Sequence, residues 1–355
     1  MMPGKCTTKD IARELGIAQS TVSRVLNNSP AASVVSDATR QKIMEAVERM
    51  GYVPNANARR LAKNKSNIIG LVLPGQYMYG DGVALADASF SKTAGGMEAV
   101  FRRKGYRMLL IFSDDNFIKK RDYISCLKSK YVDGLIVWGA RTSENYWNET
   151  AGMNVVMINS KPLPECEIDY IGSDNFNATY ELTKKLIEAG RRKIVYYDGY
   201  QGISISEERF AGYKQALADS SIPFQEELCF RGTDYKAQLK DIVELKQRIP
   251  DAFNAIQCLN NSLALVAGLA MHEMKLRIPD DVMLAGGDNV NNMFSQFRKW
   301  RFPVMSFTPP YYEQGRMAAE WIIESIEKKR ETSAPREHLL PVEFTNQQQY
   351  GEIEE

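Results

Sequence analysis

Long apolar runs are missing from this chain. No stretch approaches the roughly 18 unbroken apolar residues of a membrane helix, which excludes a helical membrane span. Histidine is scarce: His272 and His338 have no Cys, His or Asp neighbour at ligand spacing, so neither a metal site nor a histidine-based triad is expected. The five cysteines, Cys6, Cys126, Cys166, Cys229 and Cys258, stand far apart with no C-x-x-C pair. An odd, scattered set builds no disulfide framework and reads as reduced thiols of a cytoplasmic protein. There is no Walker A loop and no Gly-x-Gly-x-x-Gly opening a helix, so phosphate-dependent chemistry has no foothold. The paired carboxylates Asp114-Asp115 and Asp280-Asp281 follow apolar elements and read as solvated turn residues. The opening MMPGKCTTKD carries no apolar signal core, so export is not expected. These absences leave neither an enzyme nor a cofactor to expect.

What is present is uneven. The net charge is only +1, yet residues 1–66 hold eleven Lys/Arg against five acids, leaving the remainder at −5. A basic head on a mildly acidic body is the electrostatic footprint of a nucleic-acid-binding domain joined to something else. At 355 residues there is room for two to three domains.

Within the basic head, residues 6–27 (CTTKDIARELGIAQSTVSRVLN) read as two short amphipathic helices. Ile11, Ala12 and Leu15 share one face of the first, Thr7 or Thr8 caps it, and Gly16 ends it. In the second, Val22, Val25 and Leu26 face inward, leaving Gln19, Ser20, Ser23, Arg24 and Asn27 outside. These side-chain types hydrogen-bond base edges and phosphates, which suits a helix-turn-helix entering the major groove. The same periodicity would also fit a helical hairpin that only packs. Ser36 is the expected N-cap of a third helix with Ile43, Val47 and Met50 inward and Gly51 at its end. Residues 55–63 (NANARRLAK) contain helix formers but almost no apolar face, so alone they are marginal.

From residue 67 onward, strands alternate with helices. NIIGLVLPG, YRMLLIFSD, DGLIVWG, NVVMINS, RKIVYYDG, DAFNAIQCLN and VMLAGGDN read as buried strands. Helices are expected near 93–104, 117–130, 176–189, 206–219, 235–248 and 261–274. Such alternation implies α/β architecture, and two sets imply two lobes of parallel sheet with a ligand cleft at the carboxyl ends of the strands. At those ends Asn260 supplies donor and acceptor together, while Phe90 and Trp138 of the first lobe fit equally an apolar wall of the cleft or its core.

The run Ile11-Ala12, Gly16 and Thr21-Val22-Ser23-Arg24-Val25-Leu26-Asn27 resembles the lac repressor/gal repressor family of transcription regulators. The resemblance covers nearly the whole chain. It implies an all-α helix-turn-helix head (1–51), a hinge helix and linker (52–66) and a periplasmic-binding-protein-like sensor domain (67–350), followed by a tail (351–355). It further implies three crossings between lobes, near 172, 305 and 335. The first lobe then comprises about 67–172 and 306–335, and the second about 173–305 and 336–350. Through the match Tyr52-x-Pro54-Asn55 and Arg60-Leu61-Ala62, residues 55–63 become a hinge that orders on operator DNA, with Leu61 wedging into the minor groove. Thr7, Thr21, Tyr52, Asn55 and Asn57 complete the expected DNA-contacting set. Ser206-x-x-Arg209-x-x-Gly212 matches a family motif whose arginine faces the cleft, Asp288 stands at the position of an effector-binding aspartate, and Tyr235 at that of a stacking aromatic. Arg donors and Asp acceptors together suit adjacent hydroxyls or a polar ring.

There are departures from the family pattern. Ser29–Val35 is about three residues longer than usual, and Pro74 to Gly105 holds roughly eight extra residues. Ala18 replaces the usual capping Ser, which should cost that helix ~1 kcal/mol. The threonine-rich strand before the last family helix is here Val304-Met305-Ser306-Phe307-Thr308-Pro309.

The expected function is a cytoplasmic, homodimeric DNA-binding regulator, a repressor by default, that binds double-stranded operator DNA and a small carbohydrate-like effector. The polar tail from Asn346 has no heptads, which argues against a zipped tetramer. The competing reading is a solute-binding or sugar-processing protein with an accessory helical module; the missing signal core and catalytic groups weigh against it.

Overall fold

The computed structural model describes residues 6–27, 34–53, 65–74, 88–288, 303–328 and 334–345. The chain divides into two compact units, Met1–Ser66 and Asn67–Glu355. Several expectations lie outside the described residues: the hinge 55–63 with Asn55, Asn57 and Leu61, most of the extra segments near 29–33 and 75–87, and the tail from Asn346.

Among its described residues the first unit contains three α-helices, α1 (Thr8–Leu15), α2 (Gln19–Leu26) and α3 (Asp37–Arg49). Their apolar spacing converges on a small core of Ile11, Ala12, Val22, Val25, Ile43 and Ala46. With so little burial, the helix ends matter. Thr7 and Asp10 form a capping box on α1, and the hydrogen bond from Thr7 is the main cause lowering the Asp10 pKa. Gly16 then turns the chain at φ 65°, where a Cβ would be strained. Ser36 caps α3, whereas α2 begins at Ala18 with no side-chain cap, as its sequence requires.

The second unit is built on two six-stranded sheets. In chain order the first sheet receives β1 (Ile68–Pro74), β2 (Arg107–Ser113), β3 (Gly134–Trp138), β4 (Val155–Ile158) and β5 (Asp169–Ser173). The second receives β6 (Ile194–Asp198), β7 (Cys229–Arg231), β8 (Ala255–Asn260), β9 (Met283–Gly287) and β10 (Val304–Thr308). Short strands β11 (Glu337–Leu340) and β12 (Glu343–Thr345) then complete the first and second sheets respectively. The pairings are parallel except β12 on β10. The connecting helices are α4 (Ala88–Lys104), α5 (Asp115–Lys119), α6 (Asp122–Lys128), α7 (Asn175–Glu188), α8 (Ser204–Asp219), α9 (Tyr235–Arg248), α10 (Asn261–Glu273) and α11 (Tyr311–Ile326).

Strand alternation fills a core on both faces of each sheet. On β1, Ile69, Leu71 and Leu73 meet α4 and α11, while Val72 meets the opposite layer with Phe117 and Leu127. On β6, Val195 and Tyr197 point to one core and Ile194 and Tyr196 to the other. Two helix pairs cross at backbone contact. A Cβ on Gly96 of α4 would overlap the Tyr312 carbonyl of α11, and one on Gly315 would overlap the Thr93 carbonyl. A Cβ on Gly212 of α8 would likewise overlap the Phe176 carbonyl of α7. Strand β2 lies at the edge of its sheet and turns Leu110 (39%) and Phe112 (46%) toward solvent.

Four expectations change. The helix near 117–130 is two helices, because Arg121 adopts φ 55° between α5 and α6. The helix expected from about 93 begins at Ala88, so Phe90 lies within α4. Residues 337–340 join the first sheet, so the third crossing falls between Leu340 and Glu343. The cause is Asp169, buried on β5: it accepts the Arg336 backbone N–H at 2.9 Å and the guanidinium Nε and Nη2 at 3.0 and 2.8 Å, which pins β11 alongside. Residues 306–308 stay in the second sheet as the end of β10, so the second crossing follows Thr308.

Candidate functional site

On the helical unit, α2 buries Val22 and Val25 and leaves Gln19, Ser20 and Arg24 exposed, with Thr21, Ser23 and Asn27 partly so. Gln19 Nε2 donates to Thr8 Oγ1 at 3.0 Å, tying the start of α2 to α1. Asn27 Nδ2 donates to Ser23 Oγ at 3.1 Å, one turn earlier. Thr7 spends its hydroxyl within the capping box, donating to Asp10 Oδ2 at 2.7 Å. An ion pair between Arg49 and Glu14 fastens α3 to α1. Tyr52 packs partly buried against the same small core.

The second constellation stands at the carboxyl ends of the second sheet's strands, where unpaired strand ends and helix starts gather polar groups. Arg209, on α8, is only 2% exposed, and its donors are nearly all committed. Nε donates to Asn175 Oδ1 at 3.0 Å and Nη1 to the Leu259 carbonyl at 2.6 Å. Nη1 and Nη2 also hold Asp288 Oδ2 and Oδ1 at 2.9 and 2.7 Å, while Phe307 lies beneath the guanidinium. Burial opposes the guanidinium charge, but the charge and hydrogen bonds of Asp288 outweigh it and raise the pKa of Arg209. Asp288 follows β9 at φ 63°, is 20% exposed, and accepts a further bond from the Tyr311 hydroxyl at 2.5 Å. The arrangement is therefore a buried cation orienting a partly exposed carboxylate, not an open fork.

Beside it lies a second charged group. Asp198, fully buried at the end of β6, accepts from Ser206 Oγ at 2.5 Å and the Tyr200 N–H at 2.8 Å. Arg231 Nε approaches the same carboxylate at 3.4 Å, and Nη2 reaches Ser206 Oγ at 3.1 Å and Glu207 at 2.7 Å. Glu208 accepts from Asn175 Nδ2 at 3.0 Å, and burial raises its pKa. Loops of the two sheets meet directly: the Lys161 N–H donates to Ser204 Oγ at 2.8 Å and the Thr142 N–H to the Gly202 carbonyl at 3.0 Å. Nearby, Gln314 Nε2 of α11 donates to Ser173 Oγ at 2.8 Å with both residues buried.

The other expected residues are placed differently. Asn260 ends β8 opposite Gly287, next to Leu259 and Asp288, and its side chain caps α10 by accepting the Leu263 N–H at 3.0 Å. Tyr235 opens α9, packs partly buried against the second core, and its carbonyl accepts the Tyr197 hydroxyl at 2.7 Å. Trp138 and Phe90 are both buried in the first core as an edge-on pair 5.8 Å apart, outside the Arg209 network. Trp138 also borders a narrow crevice with Leu73, Ser113, Glu144 and Trp147 that has no room for a water-sized molecule. Asp198, Arg231, Asn175 and Tyr311 escaped the sequence reading. The one available signal was the polar Asp198-Gly199 closing an apolar run, since strand ends of α/β sheets collect ligand groups. Among the described residues no group of three His, Cys, Asp or Glu could hold a metal ion, and no helix is long and apolar enough to cross a membrane.

Comparison with known proteins adds to this geometry. The family described as periplasmic binding proteins and sugar-binding domain of the LacI family matches residues 69–348, and that of bacterial regulatory proteins, lacI family, matches residues 7–55. The HTH-type transcriptional repressor PurR of Vibrio atlanticus (strain LGP32) is 30% identical over 332 residues, covering 91% of this chain and 92% of the relative. Its counterpart in Vibrio vulnificus (strain CMCP6) is 29% identical over 331 residues, with the same coverage. Among solved structures, the lac repressor dimer bound to operator and the anti-inducer ONPF has the same fold, with a TM-score of 0.77, 20% identity and coverage of 96% of this chain and 98% of that one. A transcriptional regulator CelR–cellobiose complex has a TM-score of 0.68, 24% identity and coverage of 96% and 99%.

Proposed function

Because the chain belongs to the LacI family of bacterial regulatory proteins, we propose that α2 reads operator DNA and that a small polar effector, held between a lobe on each sheet, controls that binding. The protein is a DNA-binding transcriptional repressor with a sugar-binding type of sensor domain. The observation that carries the finer reading is the Arg209–Asp288 pair: a carboxylate held at fixed orientation, with exposure left for a ligand, at the carboxyl ends of parallel strands.

In this reading Gln19, Ser20, Thr21, Ser23, Arg24 and Asn27 face the major groove, Thr7 and Tyr52 flank it, and residues 55–63 with Asn55, Asn57 and Leu61 form the hinge. Asp288, Tyr311 and Asn260 contact effector hydroxyls, Arg209 positions Asp288, and Tyr235 borders the site. Hydroxyl-rich ligands suit this set, because Asp supplies only acceptors while Tyr and Asn supply both polarities. The CelR neighbour, solved with cellobiose, is consistent with a carbohydrate. Two copies act together in the cytoplasm, joined in part through the exposed apolar edge of β2. The chain catalyses no reaction.

The test has two arms. Duplexes selected from a random pool should bind wild type tightly, and Arg24→Ala should lose about 1–3 kcal/mol on the selected sequence, roughly five- to hundred-fold, with little loss on scrambled DNA. Equal losses on both would make Arg24 a phosphate contact. A thermal-shift screen of sugars should find a stabilising ligand, since binding raises Tm by mass action. Asp288→Asn should abolish that shift while operator binding persists; an unchanged shift would place the effector elsewhere.

A further inference from the structure

The amino-terminal end of the first sheet carries charge that the reading above leaves unused. Parallel register sets the rows there: Ile68 pairs with Arg107 and Ile69 with Gly134. Helix α4 ends at this edge with Arg102, Arg103 and Lys104, all exposed, and the chain returns as β2 at exposed Arg107. On the opposite face, α6 ends at the same edge with exposed Lys128 and Lys130. Six exposed cations thus gather on one end of a body whose net charge is −5. Little among the described residues neutralises them. Arg102 and Arg103 reach Glu98 and Glu320 only at 3.7 Å, and Glu320 is already held by Arg316 at 2.7 Å. Lys104, Arg107, Lys128 and Lys130 make no ion pair with a described residue. Asp133, the acid in the row, is buried and turned to the Asn67 N–H at 2.7 Å. Lone cations at helix carboxyl ends answer the helix dipole, but that need is met within the last turn and accounts for neither Arg107 nor Lys130.

This is also the edge where the chain enters the unit. Asn67 accepts the Arg107 N–H at 2.9 Å through its carbonyl, and β1 starts one residue later. The segment leading to that point comes from the basic helical head. The dozen residues before it can span at most roughly 40 Å, and this edge is the part of the unit nearest the head along the chain.

Resting on the DNA-binding reading above, we propose that this rim is a second DNA contact surface, in which Arg102, Arg103, Lys104, Arg107, Lys128 and Lys130 engage phosphates of the duplex outside the sequence that α2 reads. It reads no bases. It adds counterion release to every complex, specific or not, and holds the sensor unit near the duplex.

The experiment measures binding of the full chain to a 60-base-pair random duplex by fluorescence anisotropy across a salt series. Each lost phosphate contact flattens the slope of log K against log salt by about 0.9. R103Q/K104Q/R107Q should therefore flatten it by roughly 2 to 3, and K128Q/K130Q by up to about 2. K119Q/K120Q, which removes two exposed lysines beyond the carboxyl end of β2, should leave it unchanged. Circular dichroism and Tm confirm that each variant is folded. Unchanged slopes in both rim variants overturn the proposal and leave the rim to an acidic protein partner. Equal flattening in K119Q/K120Q also overturns it, by showing a general charge effect. Failure of wild type to bind duplex DNA at low salt would overturn the family-level function itself, a different result from intact binding with unchanged slopes.

Discussion

The two sheets of the larger unit share a scaffold and differ in chemistry. Each has six strands, a core on both faces and a helix pair crossing at backbone contact, through Gly96 and Gly315 in one and Gly212 in the other. At the carboxyl ends they part. The first sheet finishes β3 with Trp138 packed on Phe90, an apolar closure, whereas the second finishes β6 and β9 with Asp198 and Asp288, each held by an arginine. Burying such pairs rarely adds net stability over apolar packing, because desolvation consumes most of the attraction. Charges kept where the sister sheet manages with aromatics are what the proposed binding role requires.

The comparison can be broken most directly at the ion pair. Asp288→Ala strands the buried Arg209 guanidinium and should cost about 3–5 kcal/mol in urea unfolding, while R209M/D288N, which removes both charges and keeps a residue tolerant of positive φ, should cost less than half as much. A double variant as unstable as Asp288→Ala would mean that the pair holds the fold. The shared scaffold is tested next. Gly96→Ala and Gly212→Ala each push a methyl into a carbonyl of the facing helix and should each cost about 1–3 kcal/mol. Clearly unequal costs would show that the two crossings are not equivalent.

The smallest effect concerns Glu208, whose pKa burial raises. Below the unfolded value the carboxyl is neutral in both states and costs nothing. As pH rises through the interval up to the folded value, the unfolded chain ionises first and stability falls. Glu208→Gln removes that fall, so its Tm should exceed wild type by about 1–3 °C at pH 7 and match it near pH 4. Equal differences at both pH values would trace the change to packing.

Much of this is legible in the sequence. Short apolar runs such as NIIGLVLPG and VMLAGGDN fall on β1 and β9, and of the two expected caps Thr7 is the one that closes α1, in a capping box with Asp10. The short strands β5, β7, β11 and β12 did not stand out, because polar residues leave each without an apolar run: β5 opens with a buried Asp169 that only a distant Arg336 explains, and β11 and β12 open with Glu337 and Glu343. Arg209 and Asp288 could be named from their motifs, but their mutual satisfaction across 79 residues could not. Nor could the inward turn of Trp138 and Phe90, since an aromatic at a strand end faces a cleft or a core according to packing alone. Tyr311 stayed hidden behind Pro309-Pro310, with nothing local to show that its hydroxyl would reach Asp288.

The crossing pattern also sets an order in time. The first sheet receives β1 to β5 early, but the helix that covers one of its faces, α11 with Ala318, Ala319, Ile322 and Ile323, and its last strand β11 come after residue 310. Between them lie the helices and strands that make almost all of the second sheet. At roughly 5–20 residues per second a ribosome needs on the order of 10 s to supply that interval. Throughout it Ile69, Leu71, Ile136 and Ile158 lack their final cover, so the half of the unit that begins first must wait for nearly all of the other half to be made, and the nascent chain is most prone to aggregate just before α11 emerges.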